Sequence, residues 1–448
     1  MLVQSKRDHP LGVLFGSCNR QNLPQSHWET MLRTAKARYL SPEFFFWTGD
    51  AVYAKGQSLA DVQLAYDQLL KNPYYGSFIH HLTIDGIWDD HDYGINDGGR
   101  YVANKTARGV MFMNFLGSGR PVRGKVESIA ARITEREGLY HSRTVKNRAG
   151  GGVAKFIFLD TRFMRDHHFV QSLGEINAPL TALIAAAFRT LYTVLGFGRT
   201  YDGDVLGEKQ WKWLESELGM STSTHAKVPI DYHVIVSSIQ VFTSNPVFES
   251  WGHFPVAKRR LVDLLSRTDP SGLLVLSGDV HLAESITVTS SGESEDCGKR
   301  EWLEVTSSGF THSAADGLLN KLLCPLMLST FSRHRHSSKN DTVFVGNNFG
   351  LISFDKSILN VTVFSIPRVG AGGGELPIIH RTKTPHLSTP GRGACPVDVI
   401  DFPILSSLYT FFLVGLPLFL SFLITTNRTK KKSSYGPRSQ IKKVSKLN

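Results

Sequence analysis

The sequence is poor in cysteine, with only Cys18, Cys297, Cys324 and Cys395 in 448 residues. None forms a C-x-x-C pair, which argues against a zinc ribbon, a thioredoxin-type redox motif and a dense disulfide framework. One bridge among Cys297, Cys324 and Cys395 stays open for an oxidising compartment. Also missing is a cysteine-phosphatase loop: Arg20 follows Cys18 too closely for a run of backbone N–H groups to cradle a phosphate between them. The first twenty or so residues hold no apolar core of the length a secretory signal needs.

Charge is missing in two places. Acidic side chains are absent after Thr426, where eight Lys and Arg residues follow; of the formal net charge of +11 this tail supplies eight units, so the rest carries only +3. The basic balance therefore describes a tail, and nucleic acid is not expected as a partner. Charge of either sign is absent from Phe402 to Thr426, a stretch long enough to span a bilayer, which reads as a single transmembrane helix despite Pro417 within it. Basic residues collect on the cytoplasmic side, so the expectation is a single-pass membrane protein with a cytoplasmic tail and a lumenal or extracellular domain. Three Asn-x-Thr triplets, at Asn104, Asn340 and Asn360, are compatible with that orientation. A tail-anchored protein with a cytosolic domain is the alternative.

What is present is an ordinary folded composition, 41% hydrophobic and 20% charged. Short apolar runs stop abruptly in polar residues: "GVLFGSCN", "FFFWTGDAVY", "TIDGIWDDHD", "KFIFLDTR", "HVIVSSIQ" and "LLVLSGDVHLAE". Each reads as a strand buried on both faces. Helical patterns at 207–218 and 255–268 lie between some of them, so the fold class is α/β. Residues 1–365 read as one domain with an insertion at 171–204, followed by a Gly/Pro-rich stalk over 366–401, the helix at 402–426 and the basic tail at 427–448. The insertion's apolar middle is either a helix packed on the domain or a helix lying on a membrane surface.

The strand ends bring together Cys18, Asp50, Tyr53, Asp90, His91, Asp279 and His281. Carboxylate, imidazole, thiolate and phenolate side chains at one edge of a sheet are metal ligands by type. A Gly-Asp after a strand lets the backbone turn sharply, and Asp50 placed so can bridge two cations. His281 shares a face with Asp279 if the segment stays extended. Taken singly, each ending is a turn or a helix cap, and Cys18 alone is a buried small hydrophobe.

Together "FGSCN", "WTGDAVY", "WDDHD", "FLDTRFMRD", "LGEKQWKWLESEL", the run from "VSSIQ" to "SWGHFPVAKRRLVDLL", and "SGDVHLAE" resemble the PhoD-like alkaline phosphatase and phosphodiesterase family of metallophosphatases, over roughly residues 11–312. The resemblance implies a four-layer α/β/β/α metallophosphatase sandwich and a metal-dependent phosphoester hydrolase. It implies Cys18, Asp50, Tyr53 and His281 around one metal, with Asp50 bridging. Asp90 and Asp279 complete the set, and His91 stands beside the scissile phosphate. Ferric iron at the thiolate and phenolate, and calcium at oxygen-only positions, are the implied cofactors, with other divalent metals open. Asn96, Asp97 and Arg162 either orient substrate or complete a calcium shell, or are turn residues and salt bridges beneath the site. Where many metallophosphatases place a histidine in mid-chain, this sequence offers Ser238 and Gln240. The substrate is a phosphoester, soluble or a lipid headgroup. The alternatives are a phospholipase D-like enzyme acting on membrane phosphodiesters and a non-catalytic membrane-anchored metal-binding module.

Overall fold

Alternation along the strands divides the interior into two cores, and that division positions everything else. The computed structural model describes residues 10–117, 126–149, 151–170, 188–189, 192, 197–222, 228–243, 245, 248–289, 301–317, 321, 324, 343–366 and 378–385. In chain order the elements begin β1 (Leu11–Gly16), α1 (His27–Ala37), β2 (Ser41–Thr48), α2 (Leu59–Leu70), α3 (Pro73–His81) and β3 (Thr83–Ile87). There follow α4 (Asp90–Tyr93), α5 (Lys105–Leu116), α6 (Val126–Arg136), β4 (His141–Lys146), β5 (Val153–Leu159), α7 (Glu208–Thr222) and β6 (Tyr232–Ser237). A 3-10 turn at Trp251–His253 leads to α8 (Pro255–Thr268), β7 (Leu274–Ser277), β8 (Ala283–Thr289) and β9 (Glu301–Ser307). The last elements are β10 (Val343–Phe344), β11 (Asn348–Phe354), β12 (Ile358–Ser365) and β13 (Ile378–Pro385).

Six strands form one sheet in the order β13-β12-β11-β1-β2-β3, and seven form the other, β10-β8-β9-β7-β6-β5-β4. Strands β1, β2 and β3 run parallel, as do β5, β6, β7 and β9. On β2 the rings of Phe45 and Trp47 each lie 5.4 Å from Trp28 of α1. Phe46, one residue between them, instead meets Phe156 and Phe158 of β5 at 4.7 and 5.2 Å. The same period of two on the second sheet turns Ile157, Ile235 and Val275 toward Trp211, Leu214, Leu261 and Leu265 of α7 and α8. The layers therefore run helices, sheet, sheet, helices. Full burial of β1, β5, β6 and β7 explains why these strands read as unbroken apolar runs.

Local signals fit their elements. Ser58 and Asp61 form a capping box at the start of α2, and Asn72 caps α3 with Pro73 in its first turn. The helix expected at 255–268 spans Pro255–Thr268. Some expectations change. The run at 83–92 is strand only to Ile87; Asp89 and Asp92 then cap α4, so Asp90 and His91 sit on a helical turn. Part of the presumed stalk, Ile378–Pro385, pairs antiparallel with β12 as an edge strand, because main-chain pairing needs no apolar pattern there. The charge-free stretch at 402–426, the basic tail, Cys297, Cys395 and most of the 171–204 insertion lie outside the described residues. Among the described residues no helix is long and apolar enough to cross a membrane.

At one side the two sheets are tied by an ion triad. Asp85 on β3 binds His141 at 2.9 Å and the Arg143 guanidinium, both on β4. Burial raises the Asp85 carboxyl, but His141 and Arg143 outweigh it and hold it down at about 2, against 3.8 for a free group. A depressed carboxylate stabilises the fold above its free value and loses that contribution as pH falls toward its folded value. Asp85→Asn is expected to cost roughly 1–3 kcal/mol at pH 7. In urea titrations that difference should shrink between pH 4 and pH 2.

Glycines make a second test, because a Cβ at Gly278 would lie 2.5 Å from the Thr48 carbonyl oxygen, whereas one at Gly219, in α7, meets nothing within 4 Å. Gly278→Ala should destabilise by about 1–3 kcal/mol. Gly219→Ala should stabilise by about 0.5–1 kcal/mol in the same thermal-melt comparison.

Candidate metal centre

The parallel strands of both sheets deliver their carboxyl ends to one edge, as open α/β sheets do. Ser17 after β1 bridges to Ser308 after β9, which closes the two sheets on each other there. Five residues at this edge adopt left-handed backbone without being glycine: Cys18, Asp50, Asp97, Asp279 and His281, with φ of 62°, 51°, 54°, 71° and 56°. Such conformations cost of order 1–3 kcal/mol each and persist where the surroundings impose them. Here they swing side chains off the strand tips into one pocket. Gly49, at φ 105°, precedes Asp50 and leaves room for Asp89, whose Cβ would be 2.6 Å from an added Cβ. Because Asp279 and His281 are both left-handed, the expected extended segment is replaced by a kinked one. Their ligand atoms point to different groups as a result.

Cys18 is fully buried, its sulfur 3.6 Å from Asp50 Oδ2 and 3.0 Å from Ser308 Oγ. The Tyr53 hydroxyl donates to Asp50 Oδ2 at 2.8 Å and lies 3.0 Å from His281 Nε2. The His91 backbone N–H donates to the other oxygen of Asp50 at 3.2 Å, and its ring lies 3.9 Å from that of Tyr53, tilted by 31°. Asp50 therefore stands between the thiol, the phenol and α4. The loop carrying it is held by Asp92, which accepts from Ala51 and Val52 N–H at 3.0 and 3.3 Å. Four sets have ligand atoms within 4.8 Å of one another: Cys18, Asp50 and His281; Asp50, Asp90 and His91; Asp50, Asp89, Asp90 and Asp279; and Asp90, Asp97 and Glu249.

The electrostatics of these sets call for positive charge. Burial, then repulsion from Cys18 and Asp90, drives the Asp50 carboxyl well above the ordinary range. Asp279 is raised by burial and by Asp89. Burial pushes the Cys18 thiol up to about 12 and the Tyr53 hydroxyl upward as well, while His281 is pushed down to about 3. Asp50, Asp279, Cys18, Tyr53 and His281 are thus each driven toward the neutral form, and a cation is what reverses those preferences. Two buried carboxylate oxygens, Asp89 Oδ2 and Asp90 Oδ1, have no hydrogen-bond partner. Orphaned acceptors in a pocket of acids fit a bound cation.

Not every residue singled out in the sequence lands in the pocket. Arg162 is fully buried beneath it, paired with Asp89 and, at 3.0 Å, with Glu249, so of its two readings the salt bridge is the one adopted. Asn96 is exposed, whereas Asp97 donates its N–H to Asp90 Oδ2 at 2.7 Å and its carboxylate meets Arg189 at 3.3 Å. Ser238 reaches Asp89 Oδ1 at 2.7 Å, but Gln240 turns away to Glu284 and Thr306.

Conversely, the pocket contains residues that the strand-end reading passed over. Asp89 was hidden beside Asp90 in "WDDHD", where sequence cannot say which carboxylate faces inward. Ser308 and His312 follow β9, whose polar ending "TSSGFTH" was a further strand stop of the same kind. His312 packs its ring 4.2 Å from His281 and 5.0 Å from Tyr53. Glu249 lies in an irregular segment and carried no sequence signal.

Similarity to known proteins bears on the fold and the family. Alkaline phosphatase D of Bacillus subtilis (strain 168) is 28% identical over 141 residues, which span 29% of this chain and only 20% of that protein. A solved structure described as the structure of PhoD superposes with a TM-score of 0.54 at 15% identity, covering 90% of this chain and 78% of that one, and so shares the fold. The family described as PhoD-like phosphatase matches residues 121–357. As that match takes in more than half of its length, the chain belongs to the PhoD-like phosphatase family.

Proposed function

We propose that this protein is a metal-dependent hydrolase of phosphate esters, working at the pocket between Cys18, Asp50 and Asp90. The observation that carries the reading is the convergence of left-handed strand ends on buried, unpartnered carboxylate oxygens, in a chain of this family. Cys18, Asp50, Tyr53 and His281 would hold one cation, and Asp89, Asp90 and Asp279, with Asp50, a second. Thiolate and phenolate suit iron(III), and the carboxylate set suits calcium. Bound there, the cations would polarise the phosphoryl oxygens and make a water nucleophilic near neutral pH.

The chain's own residues supply the rest. Asp92 and the Gly49 turn hold the Asp50 loop against α4, which fixes His91 beside Asp50. His91 is partly buried beside Asp50, and its ring would give a proton to the departing ester oxygen. Ser308 hydrogen-bonds both the Cys18 sulfur and the His281 backbone, at 3.0 Å each, and so sets two ligands relative to one another. The mono- and diester preference, and attachment to a membrane through the charge-free stretch at 402–426, belong to the same proposal. The second rests on sequence alone.

The test is metal analysis of the purified full chain together with hydrolysis of p-nitrophenyl phosphate and its bis ester. Iron and calcium near one or two per chain, with turnover, are expected; bound metal without turnover of any phosphoester would favour a binding module. Cys18→Ser should lose iron and any visible charge-transfer band. His91→Gln should keep its metal while kcat falls by roughly 10²- to 10⁴-fold.

A further inference from the structure

At the mouth of the same pocket, a guanidinium stands with no ion-pair or hydrogen-bond partner among the described residues. Arg20, two residues after Cys18, is exposed, and its guanidinium carbon lies 5.2 Å from the centre of the Tyr53 ring. Its backbone is fastened on both sides. Its N–H donates to Thr311 Oγ1 at 2.7 Å, and its carbonyl accepts from Leu23 N–H and Gln25 Nε2 at 3.0 Å each. Thr311 in turn donates to the Cys18 carbonyl at 3.3 Å. The other arginines near the centre are committed: Arg162 and Arg165 to Glu249, and Arg189 to Asp97. Arg20 thus combines a fixed Cα, a side chain in solvent and an aromatic face on which a planar cation can rest.

We infer that Arg20 is a substrate-binding residue that takes the outer oxygens of a terminal phosphate, and so favours dianionic monoesters over diesters. The inference rests on the phosphoester reading above. The acids of the pocket are placed for cations, which leaves the outer face of a bound phosphate turned toward the mouth. A monoester carries two non-bridging charges more than its neutral form and one more than a diester, and a guanidinium pairs with two oxygens at once. Tyr53 links the two parts of the site: its hydroxyl holds Asp50, and its ring lies against both Arg20 and His91.

The experiment uses the metal-loaded full chain and its Arg20→Gln and Arg20→Lys variants. Inorganic phosphate binding is measured by calorimetry, and kcat/KM by hydrolysis of p-nitrophenyl phosphate and bis(p-nitrophenyl) phosphate. Arg20→Gln should weaken phosphate binding about 10- to 100-fold and lower the monoester-to-diester kcat/KM ratio about tenfold, with iron and calcium content unchanged. Arg20→Lys should recover part of both. Unchanged phosphate affinity, or an equal loss on both esters together with lost metal, would overturn the assignment. A parent protein that holds its metals but neither binds phosphate nor turns over either ester would overturn the phosphoester reading, and this inference with it.

Discussion

Too many carboxylates are buried too close together at the joint edge of the two sheets, and much of the surrounding structure answers that one constraint. Asp50, Asp89, Asp90 and Asp279 share a volume in which one oxygen of each lies within 4.8 Å of one from each of the others. Like charges so placed cannot all ionise unless something positive sits among them. The chain supplies part of the compensation from below, where Arg162 pairs with Asp89 and with Glu249, and Arg165 with Glu249. That layer leaves the upper oxygens unpartnered, and the thiol and phenol beside them share the same wish for a cation. The ion pairs beneath are themselves fully buried, so losing one member would strand the other.

Backbone strain is the means by which the crowd is assembled. A strand that simply ended would point its last side chains to alternating faces, one toward each core. Left-handed turns at Cys18, Asp50, Asp279 and His281 break that alternation and send ligand types out of the strand tip instead. The two glycine-aspartate turns work because the neighbouring chain comes too close for a side chain: Asp89 at Gly49 and the Thr48 carbonyl at Gly278. Packing of one sheet edge on the other is therefore what makes these turns tolerable, and function is tied to the fold through that contact.

Much of the site was legible before the structure because its ligand types cluster at abrupt strand stops. Cys18, Asp50, Tyr53, Asp90, His91, Asp279 and His281 are all brought to the pocket. Their hydrophobic runs were readable because the strands are buried on both faces and carry no polar interruption. Less legible were residues whose role depends on a partner far along the chain. Asp89 and Asp90 differ only in which way a short helix turns them, Glu249 matters only because it meets Arg162 and Arg165 after β5, and Ser308 only because β9 ends beside β1. Arg162 stayed open between a substrate contact and a salt bridge beneath the site, since depth below a surface leaves no periodic mark.

The sequence by itself determined the alternation of strand and helix, the apolar cores, and the chemical kinds of side chain held at the strand ends, because these follow from local pattern and from side-chain chemistry. Only the tertiary structure decided which carboxylates crowd together, which arginines are spent beneath them, and that Arg20 is left facing solvent. Charge pairing acts over a few ångströms in space without regard to separation along the chain. The fold must be closed before it is known which charges are neighbours.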